Sequence, residues 1–307
     1  MVVEQHAGIA RAIYDALSER AFERAAEHVT DRVLLLNVAT GDVYRGKTGF
    51  LQFARGWAAA FPDLRFQVRK ISEAEDRVVV EYELGGRHTG PLVTPRGHIP
   101  PTGMEIQVRF CDVLEIVDGE VAHIRSYFDT VTLLRQLGLM SETPLHAPNR
   151  RAPLELYAQA VDGNAPQRHK GIVQRFLQDV FNRHKPSAAP DTCAPEFVWH
   201  GGALGDAVGL AAYQAVLGSL FVAFPDLEVA VLDTVAEGDR VVVRFSMSGT
   251  HLGDFRGIAP TYRRVAGGAT STYRIEQSRI VEEWWQGDVL TLLQQMDLAP
   301  TSVHPST

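Results

Sequence analysis

The chain has little cysteine, no excess of basic charge and no long apolar run. Two of its 307 residues are cysteines, Cys111 and Cys193. Neither sits in a C-x-x-C or a Cys/His cluster, so the spacing supports no disulfide framework, metal site or thiol nucleophile. They read as buried thiols in a reducing, cytoplasmic compartment. Lys and Arg number 30 against 37 Asp and Glu, a formal net charge of -7 with a pI near 5.9. That balance argues against nucleic acid and against a polybasic membrane contact, both of which need clustered Lys and Arg. No apolar stretch approaches the roughly 20 residues that span a bilayer, and Met1-Val2-Val3-Glu4-Gln5-His6 lacks the basic-then-apolar start of a secretory signal. The pairs Gly201-Gly202 and Gly267-Gly268 lack the spacing of a phosphate-binding loop. A small-molecule substrate of low charge is the partner that fits.

What is present is a duplication. Phe61-Pro62-Asp63-Leu64 returns as Phe224-Pro225-Asp226-Leu227, Asp76-Arg77-Val78-Val79-Val80 as Asp239-Arg240-Val241-Val242-Val243, and Gly86-Arg87-His88-Thr89-Gly90 as Gly249-Thr250-His251-Leu252-Gly253. All three recur at an offset of 163 residues, whereas Pro101-Thr102 and Pro260-Thr261 recur at 159. One four-residue difference in the loop 91–101 reconciles the halves. Residues 1–140 therefore read as one domain, 141–170 as a proline-bearing linker in which Leu154-Glu155-Leu156-Tyr157-Ala158 can form a helical turn, 171–300 as a second domain and 301–307 as a tail.

Each half predicts the same order of elements. A helix (8–27 or 171–182) carries one apolar face. A strand (32–38 or 196–200) and a second helix (48–60 or 210–223) follow, the helix stopped by Pro62 or Pro225. Four strands then run over 64–71, 77–84, 105–116 and 121–127, with counterparts at 227–232, 240–248, 269–276 and 280–285. Asp118-Gly119 is a hairpin turn signal. The fold class is α+β: two tandem domains, each with its helices packed on one face of a curved antiparallel sheet.

At the end of each half a strand runs into an Asp and then into Leu at helical spacing, Ser126-Tyr127-Phe128-Asp129-Thr130 and Trp285-Gln286-Gly287-Asp288-Val289. Such an Asp suits a helix N-cap and equally a carboxylate at the lip of a pocket. If the Asp faces inward, strand alternation puts Tyr127 and Arg125 with Asp129, and Gln286 and Trp284 with Asp288. Asn37 and His200 end the apolar runs of the first strands and are further pocket candidates. His88 and His251 follow glycine at strand ends, where a turn or core role competes with ligand contact.

These residues carry a resemblance. The succession of helix, FPDL, DRVVV, GxHxG, a PT pair and an Asp before VxTLLxQL or VLTLLQQM resembles the SnoaL-like polyketide cyclase (ester cyclase) family of the nuclear transport factor 2-like superfamily, as two fused copies. The resemblance implies two tandem cone-shaped α+β barrels, each a curved antiparallel sheet wrapped around helices, and cofactor-free, metal-free ring closure of the substrate with the strand-end Asp as general acid/base, here Asp288 and Asp129. It also implies pocket roles for Trp284, four residues before Asp288, for Asn182 at the end of the first helix, and for His200. The first half has Arg125, Glu19 and Asn37 at those places, and Tyr262 stands where the family usually has Gly, so the second half lies nearer the pattern. An intramolecular pseudo-dimer of the halves, or a homodimer, is expected from the superfamily's sheet-to-sheet pairing. Two other functions compete: an epoxide hydrolase or epoxide-opening cyclase, for which Glu81 or Asp112 is a weak second carboxylate, and a non-catalytic binding protein in which the Asp only caps its helix.

Overall fold

The computed structural model describes residues 3–94, 97–140 and 165–298. It divides into two compact units, Met1–Ser141 and Glu142–Ala299. The tail 301–307 and most of the expected linker, including Leu154 to Ala158, lie outside the described residues.

In the first unit the helix expected over 8–27 is two helices, α1 (Val3–Ser18) and α2 (Phe22–Ala26). The break falls at Arg20, whose φ of 59° no helix accommodates. Then come β1 (Val29–Asn37), β2 (Asp42–Arg45), α3 (Gly46–Ala60), β3 (Arg65–Ala74), β4 (Arg77–Arg87), the small ribbon β5 (Leu92–Thr94) and β6 (Gly97–Ile99), β7 (Glu105–Val117), β8 (Glu120–Phe128) and α4 (Thr130–Gln136). The sheet runs β2-β1-β8-β7-β4-β3. It is antiparallel except where β1 lies parallel to β8, and its two ends do not pair, so it is an open cone and not a closed barrel. Asp118 and Gly119 turn β7 into β8 with φ values of 51° and 81°, the type I′ geometry that Asp-Gly favours.

The second unit repeats the plan: α5 (Ala165–Phe176), a π-helical turn (Leu177–Asn182), β9 (Cys193–His200), β10 (Asp206–Val208), α6 (Leu210–Ala223), β11 (Glu228–Glu237), β12 (Arg240–Thr250), β13 (Arg264–Glu276), β14 (Arg279–Gly287) and α7 (Val289–Gln295). Helix α5 begins inside the stretch read as linker. The sheet order is β10-β9-β14-β13-β12-β11, again with one parallel junction, β14 to β9. No helix among the described residues is long and apolar enough to cross a membrane.

The repeated motifs fasten the second helix to the sheet. Asp63 Oδ1 accepts from the amide of Arg87 at 2.7 Å and Asp226 Oδ1 from that of Thr250 at 2.6 Å. A side chain at Gly90 or Gly253 would lie 2.0 or 2.2 Å from the carbonyl oxygen of Ala59 or Val222, so the close approach admits only glycine. His88 and His251 finish the clamp. Each is buried, rests on Phe61 or Phe224, and accepts at Nδ1 from the amide of Thr102 or Thr261 at 3.2 Å. Burial lowers the pKa of both, so they serve as neutral fasteners of the loop rather than as pocket groups.

Candidate active site

The two cones differ in what fills them. In the second unit a cavity of about 350 Å³ opens between α6, the inner face of β11 to β14 and the start of α7, within the size range of small-molecule sites. In the first unit the corresponding space is about 30 Å³. Sheet register explains the difference residue by residue. Phe110 pairs with Phe128 across β7 and β8, and Ala269 pairs with Gly287 across β13 and β14. Trp57 on α3 corresponds to Leu220 on α6, and Val108 to Gly267. Three rings, Trp57, Phe110 and Phe128, plug the first cone with centroids 4.5 to 6.0 Å apart. In the second cone the same three places hold Leu220, Ala269 and Gly287. A methyl added to Gly267 would touch nothing within 4 Å.

Two tryptophans form part of the wall of this opened space. A side chain at Gly287 would lie 2.1 Å from the indole of Trp285, and one at Gly201 2.2 Å from that of Trp199. Each indole therefore lies across the glycine two residues further on, which no larger residue would permit. The wall is otherwise largely aliphatic and aromatic, with polar contributions from Tyr213, Ser219, Ser248, Arg256, Tyr273, Glu283 and Asp288. Arg256 sits on a tight turn from Phe255 to Ile258, with φ of 55°.

Asp288 is where the sequence places it, at the strand-to-helix junction and on the cavity wall. It is also a cap: Oδ1 accepts from the amide of Thr291 at 2.9 Å. Asp129 is the same cap in the first unit, with Oδ1 accepting from Thr132 N at 3.0 Å and Oδ2 from Thr132 Oγ1 at 2.7 Å. It does not line the small space there.

The expected alternation is out of phase by one residue. On β14 it is Glu283 and Trp285 that face the cavity, and on β8 Ile124 faces the small space, so Trp284, Gln286, Arg125 and Tyr127 belong to the opposite sheet face. The strand ends at Gly287 or Phe128 and the chain turns there, so an inward Asp at the helix start fixes no parity upstream. Trp284 instead stacks on His200 at 5.5 Å, with the Arg240 guanidinium 4.5 Å from its ring centroid. His200 accordingly points away from the cavity. Its Nε2 lies 2.9 Å from Glu282 and its Nδ1 3.5 Å from Asp206. Burial opposes its charge, but the two carboxylates outweigh that and raise its pKa. Asn37 and His200 are also not equivalent. Asn37 pairs with Ser126, whereas His200 pairs with Trp284, the counterpart of Arg125, so a one-residue shift puts them on opposite faces. Asn182 clips the π-helical turn to β11 through Val229, accepting from its amide at 2.9 Å and donating to its carbonyl at 3.0 Å.

Each cone also holds a buried carboxyl ringed by hydroxyls. In the first it is Asp112 on β7, accepting from Tyr14 and, at 3.0 Å, from Tyr82. Burial pushes it up to about 6, against the pull of those hydroxyls and of Ser126. In the second it is Glu283 on β14, accepting from Ser271 at 2.7 Å and from Tyr213 at 3.3 Å. Burial pushes it up to about 7. The two acids are not at equivalent places, because Asp112 corresponds to Ser271 and Ile124 to Glu283. Glu283 was hidden in sequence by its neighbour: in Glu282-Glu283 one side chain must face inward, and only the strand's phase says which.

Among the described residues no cluster of three or more His, Cys, Asp and Glu is arranged to hold a metal ion. A family model described as SnoaL-like polyketide cyclase matches residues 7–137 and again 171–296. Among solved structures, a putative SnoaL-like polyketide cyclase from Jannaschia sp. CCS1 is 22% identical, covering 47% of this chain and 100% of its own, with a TM-score of 0.42. AclR, a putative hydroxylase from Streptomyces galilaeus, is 27% identical over 44% of this chain and 88% of its own, TM-score 0.40. IdmH, a putative polyketide cyclase from Streptomyces antibioticus, is 29% identical over 42% of this chain and 98% of its own, TM-score 0.38. No curated protein gives a significant match.

Proposed function

Because the chain belongs to the SnoaL-like polyketide cyclase family over both 7–137 and 171–296, we propose that its second half is a cofactor-independent cyclase or isomerase-type enzyme acting on a carbonyl-containing, polyketide-like small molecule. One observation carries this reading: Asp288 borders an apolar cavity of about 350 Å³, whereas the matching space in the first cone is about 30 Å³ and Asp129 does not line it. The first half, on this reading, contributes structure and not turnover.

The chemistry is proton transfer at carbon. The Asp288 carboxylate takes a proton from the carbon beside a carbonyl, and that carbon's electron pair attacks a second carbonyl of the same molecule. The π pair of the second carbonyl moves onto its oxygen, which takes the proton back from Asp288. Ring closure thus leaves the enzyme as it began. A positioned base of this kind supplies about 10² to 10⁴ in rate, and the cavity walls hold the two carbons in reach of each other. Asp288→Asn should lower turnover by that factor on whichever poly-β-carbonyl compound the enzyme converts, followed by mass spectrometry. Asp129→Asn should leave it within about twofold. Undiminished turnover in the Asp288 variant would remove that residue from the reaction.

The presence of Glu283 in the same cavity favours one second reading, epoxide opening, which needs an acid on oxygen and a base directed at carbon. Reaction in ¹⁸O-labelled water separates the two, since epoxide hydrolysis incorporates solvent oxygen into product and aldol closure incorporates none.

A further inference from the structure

We infer that Glu283 and Tyr273 form an oxygen-binding end of the cavity, holding the carbonyl oxygen of the compound whose neighbouring carbon is deprotonated by Asp288. The inference rests on the proposed acid/base reading and names the group that reading lacks, the one that receives charge at oxygen.

The geometry is specific. Glu283, Tyr273 and Tyr213 all line the cavity and are all buried. Ser271 and Tyr213 donate to the Glu283 carboxyl, which fixes its orientation. Tyr273, directly opposite Glu283 across the β13–β14 pair, is fully buried, and its hydroxyl lies against Glu283 and Ser271 without completing a well-formed hydrogen bond. A buried hydroxyl whose hydrogen bonding is incomplete carries a cost, which an acceptor arriving with the ligand would relieve. Its counterpart in the plugged cone is Leu114, so the cost is carried only where there is space. By contrast, the Nε2 atoms of His88 and His251 are unpaired in both cones and so track the fold rather than the cavity.

A carbonyl oxygen placed between Tyr273 and Glu283 accepts from the tyrosine and from the protonated carboxyl. When the adjacent C–H bond breaks, its proton goes to Asp288 and its electron pair becomes the C=C bond of an enol. The carbonyl π pair moves onto oxygen, which takes the proton from Glu283, leaving a glutamate anion stabilised by Ser271 and Tyr213. On the return step the enol O–H gives its proton back to Glu283 as the new bond forms at carbon. The groups acting on Glu283 are Tyr213 from α6, Ser271 and Tyr273 from β13 and Cys193 from β9, with His200 acting from the opposite face of the sheet. Burial outweighs them, so the proton-donating form is populated below about pH 7.

The test uses 1-tetralone, a bicyclic ketone with no titrating group, and reads its binding to the full chain by quenching of Trp199 and Trp285 fluorescence and by calorimetry. Wild-type affinity should fall about tenfold as pH rises from 5.5 to 8.5, with a midpoint near the Glu283 value of about 7. Glu283→Gln, which keeps a donor and cannot ionise, should bind with no pH dependence in that range. Tyr273→Phe should bind about tenfold more weakly at every pH, with unchanged circular dichroism. No binding to wild type, a flat wild-type pH profile, or an unchanged Tyr273→Phe would each overturn the inference. If these fail while Asp288→Asn still abolishes turnover, the oxygen-binding end falls and the acid/base reading stands. If they succeed while Asp288→Asn turns over normally, the reverse holds.

Discussion

The two halves share a plan and differ in their interiors. What they have in common, the FPDL, DRVVV and GxHxG segments, builds the joint between helix and sheet: Asp63 or Asp226 on a strand amide, and a glycine against a helix carbonyl. What they do not share decides whether the cone is solid or open. Phe110, Trp57 and Phe128 stack in one, and Ala269, Leu220 and Gly287 leave room in the other. In a duplicated chain the repeated residues therefore report architecture, and the positions where the repeat fails report the site.

The comparison breaks most completely if the second cone is plugged as the first is. Ala269→Phe combined with Gly267→Val restores Phe110 and Val108 at their counterparts, and Gly267 has open space to receive a side chain. The double variant should lose both ketone binding and turnover with its circular dichroism intact. Persisting turnover would mean that the chemistry happens elsewhere.

The converse substitution measures what the plug contributes. Phe110 is buried and lies within ring contact of Trp57, Tyr82 and Phe128. Phe110→Ala should destabilise the first unit by about 3 to 5 kcal/mol, read as a lowered urea midpoint. A cost below about 1 kcal/mol would show that the rings fill space without supporting the fold.

Much of this was legible beforehand. The offsets of 163 and 159 residues located the duplication and the loop that differs, and helix 210–223 was placed to the residue. The site was only partly legible. Asp288 was expected at a pocket lip because a cap and a rim carboxylate share one position, and it lies on the cavity wall. Trp284, Gln286 and Tyr127 were put on the wrong face because alternation was counted backwards from a residue outside the strand. His200 was equated with Asn37 because the 163-residue offset does not register a one-residue shift at the strand ends. A pocket was expected, but which half holds it was left open because the alignment was searched for identities, whereas the signal was the set of large-to-small differences, Phe110 to Ala269 above all.

The buried acids sharpen the comparison through pH. Asp112 titrates near 6 when folded against an ordinary 3.8, so the folded state holds a proton that the unfolded chain has released. Stability from this group is full below about pH 3.8 and is lost as pH rises through about 6. The loss amounts to about 3 kcal/mol. Asp112→Asn should remove that slope, leaving a variant that gains on wild type between pH 4 and 7. Glu283 imposes the same sign in the second unit, between about 4.5 and 7. Parallel wild-type and variant curves in pH-dependent urea unfolding would contradict the buried, proton-binding Asp112.

The smallest effect separates capping from chemistry at the two matched aspartates. Asp129 and Asp288 both accept from the amide three residues on, at 3.0 and 2.9 Å, and an N-cap of this kind is worth about 1 kcal/mol. Replacing either by Ser, which also caps, should cost each unit a few tenths of a kcal/mol, and replacing either by Ala about 1 kcal/mol. The stability pattern should be similar at both sites, because the capping bond is the same, with a somewhat larger loss at Asp129, which also accepts from Thr132 Oγ1. Turnover should not follow it: Asp288→Ser keeps the cap and loses the proton acceptor, so activity should fall as far as in Asp288→Asn, while Asp129→Ser and Asp129→Ala should leave it unchanged. If Asp288→Ser retained activity while Asp288→Ala lost it, the carboxylate would be acting through the helix it caps, and the second cone would differ from the first in volume alone.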